Sequence, residues 1–371
     1  MAGIYVHIPF CKSRCAYCGF FSTTSLHERG RYVEALCDEL RKRKDFLRGE
    51  KVETIYFGGG TPSQLAVEDV EKVLLHIYNI YMLCDGAEIT LEGNPDDLSH
   101  DYLKNLKAIG INRLSIGVQT FSDARLKFLN RRHTAAQAIR AVENAQQAGF
   151  SNISIDLMFG FPSQTLAQWR EDVRQALSLG VQHLSAYSLM YEEGTKLGRM
   201  LDAGEVEEID DELSLQMYDH LLDATAEAGF EHYEISNFAI SGMQSRHNSS
   251  YWHGIPYLGV GAGAHSYDGN NRCFNPDSLT AYFSGLPPVY EHLTDRERYD
   301  EFVFTGLRTS SGINLSELAQ KFGHTYKDYC LANASRHIAA GRLLHIGDTL
   351  RLSRQGLFIS NDVMSDLMWV E

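Results

Sequence analysis

Apolar residues recur along this chain in two alternating rhythms. Short dense runs, at residues 3–8, 52–57, 88–91, 113–118, 153–159 and 183–190, read as strands. Between them the spacing changes to that of one helical face. Val33, Leu36, Cys37 and Leu40 stand at i, i+3, i+4 and i+7 within residues 29–47. Val67, Val70, Leu74 and Ile77 follow in the next interval, and Ala138, Ile139, Val142 and Ala145 further on. Strands alternating with helices predict a parallel sheet covered by helices.

The residues that interrupt these rhythms fall at one end of each strand. Three cysteines follow the first strand and Gly58-Gly59-Gly60-Thr61-Pro62 closes the second. Glu92-Gly93-Asn94-Pro95 ends the third and Gln119 the fourth, while the fifth carries Asp156 and breaks at Gly160-Phe161-Pro162. In a parallel barrel those ends share one face, and active sites are built there. Units numbering six rather than eight predict an incomplete, laterally open barrel.

Past the sixth strand the pattern loosens. A helix is predicted over 210–229, then a single strand over 233–238 leaving the barrel. The Gly-, Ser- and His-rich stretch 241–269 reads as irregular chain over the open face, and Pro287-Pro288 as a boundary. Helices near 299–307, 315–319 and 327–340, then a hairpin about Gly347-Asp348, predict a small winged-helix-like α+β module that caps the barrel. The expected division is a barrel at 1–235, an irregular connection at 236–288 and a small domain at 289–371.

Composition narrows the setting. With 371 residues, 44% of them hydrophobic, the chain can bury one large core and a smaller one. No apolar run approaches a membrane span and no signal peptide precedes the first strand, so membrane contact is expected to be peripheral at most. Of the 7 cysteines, Cys37, Cys84, Cys273 and Cys330 are scattered singly; this is no disulfide framework and points to a reducing cytoplasm. A net charge of −14 argues against nucleic acid as a partner, while leaving room for an anion in a locally basic pocket.

The densest chemistry is Cys11-Lys12-Ser13-Arg14-Cys15-Ala16-Tyr17-Cys18. A loop this tight lets its sulfurs point inward together. A cubane iron–sulfur cluster ordinarily takes four thiolates. Three local ones leave one iron free for a ligand that is not cysteine. A zinc knuckle is the alternative, yet zinc sites use C-x2-C pairs that recur at a distance, and no second pair exists here.

The C-x3-C-x2-C spacing, with Tyr17 just before the last cysteine, resembles the signature loop of the radical SAM superfamily. The resemblance implies a partial (β/α)6 TIM-like barrel and a [4Fe-4S] cluster on Cys11, Cys15 and Cys18. It also implies S-adenosylmethionine chelating the open iron, and an electron donor whose electron cleaves the sulfonium to a 5′-deoxyadenosyl radical. The glycine run resembles the family's GGGTP element, whose backbone amides bind the methionine amino end; glycine allows that close approach. Tyr5-Val6-His7-Ile8-Pro9-Phe10-Cys11 and the series through Asp156 are similar to the HemN/HemW group over nearly the whole chain. Carried over position by position, Tyr5, Tyr17, Gly59 and Glu92 would contact cluster-bound S-adenosylmethionine. Gly60, Thr61, Gln119, Arg131 and Asp156 would match cofactor-holding positions, including those for a second molecule in the oxygen-independent coproporphyrinogen III oxidase. Locally, Arg131 also reads as part of a solvated basic turn, and Glu92 and Asp156 as helix caps.

Two departures separate the branches of that group. The oxidase carries a fourth cysteine two residues after the third, where this chain has Phe20. Arg246-His247-Asn248-Ser249-Ser250-Tyr251-Trp252 resembles the HNxxYW motif of the haem-chaperone branch. A neutral imidazole can ligate haem iron, and Tyr and Trp can lie against a macrocycle. His247 is thus the expected haem ligand, with His265 a second candidate. The resemblance implies a chaperone that binds haem and delivers it to apo-haem proteins, and leaves homodimerisation open. The alternatives are oxidative decarboxylation of coproporphyrinogen III in porphyrin biosynthesis and, more remotely, radical methyl transfer to haem.

Overall fold

The computed structural model describes residues 1–370. Six parallel strands lie side by side in chain order: β1 (Ala2–Ile8), β2 (Val52–Gly59), β3 (Leu83–Gly93), β4 (Arg113–Gln119), β5 (Ile153–Phe159) and β6 (His183–Ser188). The crossovers are α1 (Arg29–Lys42), α2 (Val67–Ile80), α3 (His100–Ala108), α4 (Asp123–Phe128) with α5 (Ala135–Gln147), and α6 (Leu166–Ser178). This is the α/β partial barrel that the strand–helix alternation predicts.

Alternation within each strand decides which side chains reach the centre. Ile4, Val6 and Ile8 point to the helices and join the main core with Leu36, Leu40, Val70 and Leu74. Each such side chain, fully buried, contributes about 1.5–3 kcal/mol. Their neighbours Tyr5 and His7 are left on the inner face. Helices α5 and α6 both open on capping boxes, Thr134 with Gln137 and Thr165 with Gln168, which satisfy N–H groups that a helix start otherwise leaves unpaired.

After β6 come α7 (Lys196–Asp202) and α8 (Asp211–Glu227), then a hairpin of β7 (Glu231–Glu234) and β8 (Asn237–Ala239). β8 pairs antiparallel with β6, extending that edge of the sheet. On the other edge β9 (Tyr257–Val260) pairs parallel with β1. It is followed by antiparallel β10 (His265–Tyr267), β11 (Asn271–Phe274) and, after α10 (Leu279–Phe283), β12 (Val289–His292). The chain between β8 and β9 therefore crosses the barrel's open side, and α9 (Arg246–Trp252) lies on that crossing.

Two sequence expectations are corrected here. Residues 241–269 are not irregular; they hold α9, β9 and β10. A four-residue strand added to an existing edge takes its hydrogen bonds from β1 and needs no apolar period of its own. The run 233–238 is not one strand but a hairpin with its turn at Ile235-Ser236, where the Glu234 carboxylate accepts from the Ser236 N–H at 2.8 Å.

Beyond β12 a second core gathers Tyr299, Val303, Leu307, Leu318, Val363 and Leu367. It is built from α11 (Asp295–Arg308), α12 (Leu315–Phe322), α13 (His324–Ala339), the sheet of β13 (Ile313–Asn314), β14 (Leu343–Ile346) and β15 (Thr349–Leu352), then α14 (Arg354–Leu357) and α15 (Ser360–Leu367). Arg354 pairs with Asp223 of α8 at 2.6 Å, and Arg308 pairs with Glu234 of β7 at 3.3 Å while lying 4.7 Å over the Trp252 ring of α9. The module braces the barrel's flank at α8, β7 and α9. No helix among the described residues is long and apolar enough to cross a membrane.

Candidate functional site

The loop that leaves β1 is pinned along its length. Cys11 N–H donates to Thr23 O at 2.9 Å, Ala16 N–H to Leu129 O at 2.9 Å, and Leu197 N–H to Ala16 O at 2.8 Å. Asp97, unremarked in the sequence, is the hub of this end. Its side chain pairs with Lys12 of the loop at 2.8 Å and Arg132 at 3.3 Å, and accepts from Ser63 Oγ at 3.1 Å and from Gln64 Nε2. One carboxylate thus ties the cysteine loop to the turn after the glycine run. An acidic pair after Asn94-Pro95 reads as ordinary loop, so no sequence signal marks it.

One cavity of about 520 Å³ opens among the strand ends. Cys11, Cys15, Cys18, Tyr5, Tyr17, Gly59, Gly60, Thr61, Glu92, Gln119, Arg131, Asp156 and His247 all line it. His265 does not: it is exposed on β10, stacked on Phe274 at 5.3 Å. A second hollow of about 650 Å³, between the chain after the cysteine loop and α10, is lined by none of the residues picked out for chemistry.

The thiols are held in a mixed environment. Burial pushes the Cys11 and Cys18 thiols up, opposed at Cys11 by the Thr61 hydroxyl 3.4 Å away. Arg131 reaches one of the sulfurs. Its Nη2 donates to Asn94 Oδ1 at 2.8 Å and Gly117 O at 2.6 Å, which fixes Nη1 3.4 Å from Cys15 Sγ. Arg131 is therefore no solvated turn residue; it aims positive charge at the Cys15 sulfur. Among the described residues no three His, Cys, Asp or Glu side chains are grouped to hold a single metal ion. Three thiols facing one cavity are the donor set that a cluster held at three corners would use.

Across the cavity, Glu92 accepts from Tyr56 OH at 2.7 Å and from Gly59 N–H at 3.2 Å. Gly59 sits at φ 111°, and a Cβ there would lie 2.5 Å from the His7 ring, so only glycine serves. Burial pushes Glu92 up to about 7 against the Tyr56 hydrogen bond. Burial likewise raises Asp156 to about 6, opposed by Arg113 and by the Ser185 and Ser115 hydroxyls. Neither acid caps a helix. Two carboxylates kept short of compensating charge make a space that favours a cationic ligand. Gln119 is the cavity's one non-glycine residue in the left-handed region, at φ 69°, a conformation costing about 1–2 kcal/mol.

His247 enters from the side, on α9. Its Nδ1 lies 2.8 Å from Thr54 Oγ1 and its Nε2 2.8 Å from Tyr251 OH. The ring stacks on Tyr56 at 5.0 Å and Tyr5 at 6.3 Å. Burial, helped by Arg113, lowers its pKa to about 3, so it is neutral throughout the physiological range. Glu88 fixes the start of α9, accepting from the N–H groups of Arg246 at 3.1 Å and His247 at 3.0 Å. Trp252, expected to face the same ligand, lies instead under Arg308 and does not line the cavity.

Against known proteins, residues 5–176 match the radical SAM superfamily model and residues 293–359 the HemN C-terminal domain model. The heme chaperone HemW of Bacillus subtilis is 36% identical over 98% of this chain and 98% of its own. That of Lactococcus lactis is 33% identical over 98% and 96%. The mitochondrial radical S-adenosyl methionine domain-containing protein 1 of Danio rerio is 36% identical over 99% and 87%. The solved coproporphyrinogen III oxidase HemN of Escherichia coli superposes with a TM-score of 0.85 at 21% identity, covering 99% of this chain and 90% of that one; the likeness is one of fold.

Proposed function

The chain belongs to the radical SAM superfamily and within it to the HemW group, and on that premise we propose that it binds haem and delivers it to apo-haem proteins, carrying a [4Fe-4S] cluster and S-adenosylmethionine. The observation behind this reading is a neutral imidazole, His247, facing the same cavity as the three thiols. Cys11, Cys15 and Cys18 hold the cluster at three corners, with Arg131 offsetting thiolate charge. Tyr5, Tyr17, Gly59, Gly60, Thr61 and Glu92 hold the cofactor, and Gln119, Arg131 and Asp156 complete its surroundings. Bound, the pair supplies one-electron chemistry.

The chain's own part in haem binding follows from the hydrogen bonds of His247. Taking Nδ1, 2.8 Å from Thr54 Oγ1, as the protonated nitrogen leaves the lone pair of Nε2, 2.8 Å from Tyr251 OH, as the iron-seeking atom. A metal-bound histidine is ordinarily oriented by such a bond from its other nitrogen. Haem titration followed by the Soret band tests the assignment. Stoichiometric uptake is expected in the parent and at least about tenfold weaker binding in His247→Ala, the loss of a ligand bond worth over 1.4 kcal/mol. Equal affinity would place the iron elsewhere.

The oxidase reading keeps one supporting observation, that Gln119, Arg131 and Asp156 all line the cavity. Against it stands Phe20 where that enzyme has its fourth cysteine. An anaerobic assay of the reconstituted protein with coproporphyrinogen III separates the two: more than trace protoporphyrinogen would replace the chaperone reading.

A further inference from the structure

We infer that Asn94 is a positioning residue for the cysteine loop: its one amide holds a hydroxyl toward Cys11 and a guanidinium toward Cys15. The inference rests on the reading of those thiols as cluster ligands.

Asn94 declines the local role its position offers. It precedes the single helical turn Pro95–Asp97, where an Asn side chain ordinarily caps the backbone, yet it makes no capping hydrogen bond. Its backbone N–H donates to Ser63 Oγ at 3.2 Å, and its side chain lines the cavity instead.

There Asn94 Oδ1 accepts from Arg131 Nη2 at 2.8 Å, and Nδ2 lies 3.4 Å from Thr61 Oγ1. A guanidinium only donates, so the amide has one possible orientation: oxygen to Arg131, nitrogen to Thr61. Thr61, accepting from Nδ2, keeps its own hydrogen for Cys11 Sγ, 3.4 Å away. Arg131, with Nη2 spent on Asn94 and on Gly117 O, presents Nη1 to Cys15 Sγ at 3.4 Å. One continuous path therefore runs from Cys11 through Thr61, Asn94 and Arg131 to Cys15. The chain that carries Arg131 is built against the same loop: Leu129 O accepts from Ala16 N–H at 2.9 Å, and Asn130 Nδ2 donates to Arg14 O at 2.8 Å. Successive residues thus hold Ala16, Arg14 and Cys15, so the folded chain itself sets where the guanidinium stands. Donors aimed at cluster sulfurs favour the more negative, reduced state and raise its potential.

The test uses full-length protein reconstituted anaerobically with iron and sulfide, without S-adenosylmethionine, and compares the parent with Asn94→Asp, Asn94→Leu and Thr61→Val. Asn94→Asp keeps the shape and the acceptor for Arg131, but a carboxylate cannot donate, so the Thr61 hydroxyl turns to it and away from Cys11. About four iron per chain is expected in all. At the parent's midpoint, the ratio of reduced to oxidised cluster read by EPR should fall about tenfold in each Asn94 variant, about 59 mV for one electron. It should fall in Thr61→Val too, and in that background Asn94→Asp should move it less than it does alone. A residue that only shaped the turn would move the unfolding midpoint and leave the potential where it was. Ratios within about twofold of the parent, or an Asn94→Asp shift undiminished over Thr61→Val, overturn the inference. Where an Asn94 variant takes up no iron, Thr61→Val decides alone by the same ratio. A parent chain that takes up no iron sinks the cluster reading itself.

Discussion

The two ends of the cavity are finished to different degrees. At the strand-end side, polar groups are left wanting: two buried carboxylates sit well above their usual range, and burial holds Cys11 and Cys18 as thiols. At the α9 side both nitrogens of His247 are hydrogen-bonded and its ring stacks on Tyr56 and Tyr5. The second end has both ring nitrogens occupied by neighbouring hydroxyls.

The widest gap between the ends should appear on removing the sulfurs. Replacing Cys11, Cys15 and Cys18 together with alanine is expected to drop bound iron from about four per chain to near zero after reconstitution, while haem uptake at His247 persists. Iron retained by that variant would place the cluster elsewhere, and loss of haem with it would make the ends a single unit. Next in size is Gly60→Ala. The added Cβ would lie 2.7 Å from the backbone carbon of Pro9 and 3.0 Å from Ile8 O, atoms held by the strand and unable to yield. A loss of about 2–4 kcal/mol in chemical denaturation is expected; a midpoint within error of the parent would mean the turn is softer than its geometry.

The comparison also accounts for what could be read from the chain before its fold. The cradle end was legible because its chemistry is local in sequence: thiols three and four positions apart, and three glycines closing one strand. The α9 end was legible only in its motif. That helix crosses between sheet edges whose outer strands are three and four residues long, too short to carry a period, so 241–269 reads as irregular chain. Trp252 shows the limit of a motif, which names a residue without saying where it points: Arg308, from a different core, draws it away from the cavity. Asp97 was invisible for the opposite reason, since its value lies in partners at positions 12, 63, 64 and 132 that only the fold assembles.

Titration sharpens the contrast, because the ends respond to pH in opposite senses. Glu92 and Asp156 are raised in the folded state, from 4.5 to about 7 and from 3.8 to about 6. The folded protein thus binds more protons than the unfolded chain, and stability present below pH 4 is lost as pH rises toward 7. His247 is lowered from 6.5 to about 3, so its contribution is present above pH 6.5 and lost as pH falls. Denaturation midpoints of cofactor-free Glu92→Gln between pH 5 and 7.5 should lose much of the parent's decline, on the order of a few kcal/mol at most. An unchanged slope would remove Glu92 as its source.

The smallest expected effect tests the latch itself. Tyr251→Phe removes only the hydroxyl 2.8 Å from Nε2, and leaves the ring edge-on against His247 at 5.0 Å. If haem iron must displace that hydroxyl, the variant starts with the ligand atom already free, and the hydrogen bond no longer opposes binding. One such bond is worth about 1 kcal/mol net, so haem affinity should rise about fivefold. The direction matters more than the size. An aromatic residue that merely supported the macrocycle would leave affinity unchanged on losing its hydroxyl, and one that donated to bound haem would weaken it. Only a latch makes the mutant the better binder.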